Sequence, residues 1–281
     1  MAMTRLAARV LTGTTLAVGA ALLLWLETRF APGFLALGVV TVLALIAVWE
    51  LQGMGTLRDA RLGTALLVAT AALAVRTFLV LRADAPLHAP RELGWLYLLA
   101  LGGAVLGRLL GRVSGRAPQG ELLAVGLALW LLPALFALVL IDLAFGVKGL
   151  ALLVILAKVG DNAGFFVGRA IGKRHPFPNV SPGKTVAGCV ASLLAGLVAG
   201  ALVLPRWLGE GGGGGMLVGA LVGTAINVAA QASDLSESWV KRRAGVKDSS
   251  RLVGPSGGVL DVIDSLFFAA PTGLLLWAWV Y

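Results

Sequence analysis

The sequence is poor in the residues that most often build disulfides, metal centres and soluble surfaces. It has one cysteine, Cys189, which excludes an internal disulfide framework and a cysteine-based zinc site. Its two histidines, His88 and His175, stand far apart, so no histidine-rich metal centre is expected. Charged residues make up only 13% of the 281. Apolar residues are abundant instead: 58% of the chain, or about 72% with the 38 glycines, against about 45–50% in soluble proteins. A soluble fold of this size cannot hide that much apolar surface. A soluble enzyme, a disordered chain and a coiled coil are excluded, and the chain reads as an all-α, polytopic integral membrane protein.

Nine apolar segments, each of the roughly 17–25 residues that a ~30 Å hydrocarbon core requires, divide the chain: 8–26, 33–52, 63–81, 93–111, 121–143, 148–168, 186–204, 215–233 and 259–280. No period-2 alternation persists in them, which favours helices over a barrel. Their many Gly and Ala residues permit close helix contact. The first segment reads as a retained helix, because Glu27-Thr28-Arg29 follows it without a small-residue cleavage site. Five helices fall in 1–147. The remainder, 148–281, carries the other four, with long hydrophilic loops at 169–185 and 234–258.

Lys and Arg are distributed unevenly between alternate loops. One side carries 16, among them Arg5, Arg9, Arg58, Arg61, Arg108, Arg112 and Arg116; the other carries 5. This asymmetry predicts a cytoplasmic N-terminus and places Tyr281 outside, in a bacterial-type inner membrane. The net charge of +9 is therefore read as topology signals or phosphate ligands, and no nucleic-acid partner is expected. The run Gly211–Gly215 reads as a flexible outer linker.

Chemistry gathers in the two long cytoplasmic loops. Asp261 and Asp264 are three apart at the start of the last segment and share a helical face. They read either as dipole-stabilised helix-start residues or as a hard-cation site; paired carboxylates with few other protein ligands suit magnesium. Pro255-Ser256-Gly257-Gly258 precedes them, a turn whose backbone amides could face an anion. Asp161 and Asp234 lie near the cytoplasmic ends of the sixth and eighth segments, where ionisable residues are functional candidates; Lys158, one turn before Asp161, offers it a plain ion pair. Lys241, Arg242, Arg243, Lys247 and Arg251 read as lipid-facing anchors or as triphosphate ligands. Ser181-Pro182-Gly183-Lys184-Thr185 is not a Walker loop, since Pro178 stands where the first glycine must be. His175, between basic neighbours, reads as a solvated loop residue.

The second loop resembles the signature of the phosphatidate cytidylyltransferases. Ser238, Lys241, Arg242, Lys247, Asp248, Gly257, Gly258, Asp261 and Asp264 match it in order and spacing. The first loop resembles the family through Asp161, Gly168-Arg169, Gly172-Lys173, Ser181-Pro182 and Lys184-Thr185. The chain departs from the family pattern at Ser256, where a histidine is usual, at Val262 (arginine) and at Ala187 (glutamate).

The resemblance implies transfer of a cytidylyl group from CTP to phosphatidic acid, with Mg2+ and a second metal ion as an option. It implies metal ligands among Asp261, Asp264, Asp234 and Asp161, and catalytic roles for Lys247 and Asp248. Lys241, Arg242, Ser238, Lys184, Ser181, Arg169, Lys173, Ser256, Gly257 and Gly258 would bind substrate, Arg169 and Lys173 at the lipid phosphate. CTP, phosphatidic acid and membrane lipid are the expected partners, and a homodimer is an open expectation. Two rival readings stand beside this one: a CTP-dependent polyprenol or phytol kinase, and a secondary transporter of an anionic solute.

Overall fold

The computed structural model describes residues 2–29, 33–54, 60–83, 88–112, 119–207 and 215–280. Arg58, Arg116, Gly211–Gly214 and Tyr281 lie outside the described residues, as do the side chains of Arg5, Arg9, Arg61, Arg108 and Arg112. The elements are α1 (Ala2–Glu27), α2 (Phe34–Gly53), α3 (Ala60–Arg82), α4 (Ala89–Arg112), α5 (Gln119–Ile171), α6 (Val186–Trp207), α7 (Gly215–Arg243), α8 (Val259–Ile263) and α9 (Leu266–Val280). A 3-10 turn, Gly254–Ser256, precedes α8, and no strand occurs among the described residues. The chain is an all-α membrane protein.

Five helical segments among the described residues are long and apolar enough to cross a membrane: Phe34–Gly53, Leu129–Ile171, Val186–Trp207, Gly215–Arg243 and Val259–Val280. Leu129–Ile171 takes in two of the nine expected segments, which α5 joins with a break at Gly146 (φ 66°, ψ −175°). The positive φ needs glycine, and the break falls in the expected loop. The expected last segment is divided too: α8 ends at Ile263 and α9 begins at Leu266, leaving Asp264 and Ser265 at the junction. The three other expected segments fall on α1, α3 and α4.

The first half of α5 is the hub. Every residue from 131 to 142 is buried, as expected of a helix that is apolar all round. α2, α3, α4 and α9 pack against α5. Large apolar side chains such as Leu217 and Trp279 point outward, the pattern of a surface solvated by lipid.

The second half of α5 packs with α6, and α6 with α7, through glycine. Gly160, Gly164, Gly168 and Gly172 recur every four residues, as do Gly188, Ser192, Gly196 and Gly200 on α6. A Cβ on Gly188 would stand 2.6 Å from the Gly164 carbonyl oxygen, and one on Gly223 would overlap Gly196 O and Gly200 Cα. These backbones touch directly, so the four-residue stripe brings the ends of α5, α6 and α7 together.

Candidate active site

Polar side chains gather where α5, α7 and the α8–α9 junction converge. α5 supplies Lys158 and Asp161. α7 changes character along one buried stripe, from Gly219, Gly223 and Asn227 to Ser233, Glu237 and Lys241. The junction supplies Asp264, and Lys184 comes from the α5–α6 loop. A cavity of about 650 Å³ opens among them, with Lys158, Asp161, Lys184, Asp234, Asp261 and Asp264 in its walls.

Three lysines tie five carboxylates into a web. Lys184 Nζ lies 2.6 Å from Asp234 Oδ2. Lys241 Nζ lies 2.5 Å from Asp261 Oδ1 and 2.6 Å from Glu237 Oε2. Lys158 Nζ stands 3.5 Å from both Asp161 Oδ2 and Asp264 Oδ1. The expected Lys158–Asp161 pair exists, but Lys158 is shared with Asp264.

Within the web one group is short of partners. Carboxylate oxygens of Asp234, Glu237 and Asp264 lie within 4.8 Å of one another. Glu237 is fully buried, and neither of its oxygens has a hydrogen-bond partner among the described residues; Lys241 approaches Oε2 without hydrogen-bond alignment. The one ammonium beside Glu237 is shared with Asp261, so the buried carboxylate is only partly compensated, and a cation among the three acids would add to that compensation. An all-oxygen set of three carboxylates fits a hard divalent ion.

Asp261 stands in contrast. Its Oδ2 accepts from Ser249 N (2.8 Å), Ser249 Oγ (2.7 Å) and Gly258 N (2.7 Å), while Oδ1 accepts from Lys241. Both oxygens are engaged by the chain itself, so Asp261 and Asp264 share the cavity wall but meet different partners, Asp264 accepting from Ser265 N (2.6 Å) and facing Lys158. Glu50, at the end of α2, does similar work. It accepts from Ser249 Oγ (3.0 Å), Ser250 Oγ (2.7 Å), Val259 N (2.8 Å) and Leu260 N (2.8 Å), capping α8 from about 200 residues away.

The expected anion cradle is thereby occupied. The amides of Gly258, Val259 and Leu260 point at Asp261 and Glu50. Gly257 (φ 89°) and Gly258 are needed for that approach: a Cβ on Gly258 would overlap Ser249 Oγ and Glu50 Oε1. Ser256 lies in the 3-10 turn before them.

Of the other expected residues, some line the cavity and some stand outside its lining: Ser238, Arg242, Lys173, Lys247 and Asp248 are not among the lining residues. Arg169 and Ser181 line the cavity, with Arg169 exposed. Ser238 Oγ reaches Asp234 Oδ1 at 3.5 Å. Arg242 donates to the carbonyls of Val180 (3.3 Å) and Val246 (3.1 Å), stapling the two loops to each other. Lys173, Lys247 and Asp248 are exposed. His175 is exposed as expected, yet it also stands in the cavity wall.

Sequence reasoning missed Glu237 and Glu50. Glu237 follows Asp234 by three residues, the same spacing that singled out Asp261 and Asp264, and that signal was available. Glu50 carries no such mark; it is a lone acid ending an apolar helix.

The sequence from residue 7 to 279 matches the model of the cytidylyltransferase family. Among similar proteins, a phosphatidate cytidylyltransferase of Pseudomonas aeruginosa is 40% identical over 202 residues, 68% of this chain and 72% of its own. Relatives of the same description from Aquifex aeolicus (34% over 145 residues) and Helicobacter pylori (37% over 136) align with 51% and 48% of this chain. The aligned stretch is 53% and 49% of those two proteins, so the chain spans about half their length.

Proposed function

The chain belongs to the cytidylyltransferase family, and we propose that it transfers a cytidylyl group from CTP to phosphatidic acid, giving CDP-diacylglycerol and pyrophosphate. The observation that carries this reading is the cavity itself. Carboxylates and ammonium groups alternate around it at one end of an apolar bundle, where a lipid headgroup and a soluble nucleotide can meet.

The nucleophile in such a reaction is a lipid phosphate oxygen, already ionised at neutral pH. No strong general base is required, and the serine at position 256 in place of a histidine is compatible with turnover. The difficulty is to bring two polyanions together. We assign a divalent ion, magnesium by the hardness of the donors, to Asp234, Glu237 and Asp264, with Asp161 beside them. Bound there, it supplies charge neutralisation for the triphosphate and for the departing pyrophosphate. Lys184 holds Asp234 in place and offers its remaining donors to phosphate. Lys241 fixes Glu237 against Asp261, which accepts from Ser249 and Gly258 and so holds the loop before α8 in place. Arg169 and Ser181 in the cavity wall, with the exposed Lys173, take the lipid phosphate. Lys247 and Asp248, exposed and outside the cavity lining, are assigned to the incoming nucleotide on the family resemblance alone. A cytoplasmic N-terminus, an external C-terminus, an inner-membrane location and a homodimer complete the proposal.

The test uses purified protein with phosphatidic acid, Mg2+ and CTP labelled at either the α- or the γ-phosphate, followed by lipid extraction. Label from the α-position in the lipid, with the γ-label in pyrophosphate, is the expected result. Transfer of the γ-label to lipid would show a kinase instead, and label in neither would overturn the reading.

A further inference from the structure

At the end of α2 away from Glu50, two buried acids face each other without a counter-charge. Glu27 ends α1, and Asp142 closes the buried run of α5. Both accept from one backbone amide: Gly33 N, which starts α2, donates to Glu27 Oε1 (2.9 Å) and to Asp142 Oδ2 (2.8 Å). Asp142 Oδ1 is buried and has no donor among the described residues, although the Glu27 carboxyl lies within hydrogen-bond reach of Asp142. The basic groups described on the surrounding elements are engaged elsewhere or exposed. Arg29 lies over Trp25, Arg82 over Phe78, Arg76 and Arg91 pair with Glu92, and His88 and Lys148 are exposed. α2 and α9 carry none. We propose that Glu27 and Asp142 form a proton-operated latch: one shared proton holds the α1–α2 turn on α5, and its loss as the pH rises frees the turn.

A proton is the partner this geometry lacks. Two carboxylates in contact cannot both stay ionised out of water without a cation, and a proton on one gives the other its missing donor. Burial first, then the Asp142 charge, push the Glu27 carboxyl, just past the first apolar segment, up to about 7. An ordinary glutamate sits at 4.5, so between 4.5 and about 7 the folded chain holds a proton that the unfolded chain has released. The latch therefore stabilises fully below 4.5, and its contribution is lost as the pH rises through about 7. The turn it holds is wedged against α3, since a Cβ on Gly33 would stand 2.5 Å from Leu81 Cδ2. Glu50 lies roughly 25 Å further along α2, where it caps α8. The latch thus anchors the helix that braces α8, and it depends on neither the function nor the metal assigned above.

The test compares the purified full chain in detergent with Glu27→Gln, whose amide donates to Asp142 at any pH. Between about pH 5 and about pH 9 the wild-type thermal midpoint is expected to fall about 5 °C or more further than that of Glu27→Gln. Asp142→Asn, which gives Glu27 an amide donor, is expected to behave like Glu27→Gln. Parallel falls in wild type and in either monodisperse variant would overturn the inference. Hydrogen exchange at the Gly33 amide of the wild type needs no variant to fold. Its protection, corrected for the intrinsic rate at each pH, is expected to drop about tenfold or more over the same range. Protection that stays constant would also overturn the latch.

Discussion

Two groups of acids sit at the same end of the bundle and are used in opposite ways. Asp261 and Glu50 accept hydrogen bonds from amides, hydroxyls and an ammonium of the chain, and their oxygens are spent on holding α8 and its loop. Asp234, Glu237 and Asp264 converge on one another, and Glu237 has no hydrogen-bond partner among the described residues. Residue type does not separate the groups, and neither does burial: Glu50 and Glu237 are both almost wholly inaccessible. What separates them is Glu237: Asp234 is paired with Lys184, and Asp264 accepts from Ser265 N and faces Lys158, but Glu237 makes no aligned hydrogen bond among the described residues. A satisfied acid is architecture; an unsatisfied buried acid is held for something that arrives later.

That contrast is sharpened most by Asp264→Asn. It removes one charge from the three converging acids and is expected to lower cytidylyl transfer by about a thousandfold or more, with the protein still inserted and monodisperse. Asp261→Asn is expected to cost about ten- to a hundredfold, because the amide still accepts from Ser249 and Gly258 but pairs poorly with Lys241. Equal losses in the two variants, measured side by side with labelled CTP, would break the distinction. Glu50→Ala is expected to act on stability first. It strips Val259 and Leu260 of their acceptor and should cost about 2 kcal/mol, seen as a lower thermal midpoint in detergent, with activity following the folded fraction.

Much of this was legible in the sequence. Composition and segment length gave the membrane class, and the α5 and α9 cores follow from their uninterrupted apolar runs. The glycines on α5 and α6 advertise close packing by their four-residue spacing. Asp161, Asp234 and Asp264 stood out as acids near membrane boundaries, and the structure brings all three to one cavity. Glu50 could not be read, since its partners are about 200 residues away and only the packed bundle brings them near. Gly257 and Gly258 were visible, but their use was not. The sequence suggested amides free for an anion, whereas the glycines let two carboxylates close on the α8 N-terminus. The position of Asp261 three residues before Asp264 gave no hint of their different duties, because helical spacing specifies a face and not the partners that meet it.

The most direct measurement is the Mg2+ concentration for half-maximal transfer in Glu237→Gln and Asp261→Asn, each compared with wild type. If Asp234, Glu237 and Asp264 hold the ion, Glu237→Gln raises that concentration about tenfold or more, while Asp261→Asn leaves it near the wild-type value and lowers only the maximal rate. A raised midpoint in Asp261→Asn with none in Glu237→Gln would contradict the account, and would return the ion to the acids that the fold has already satisfied.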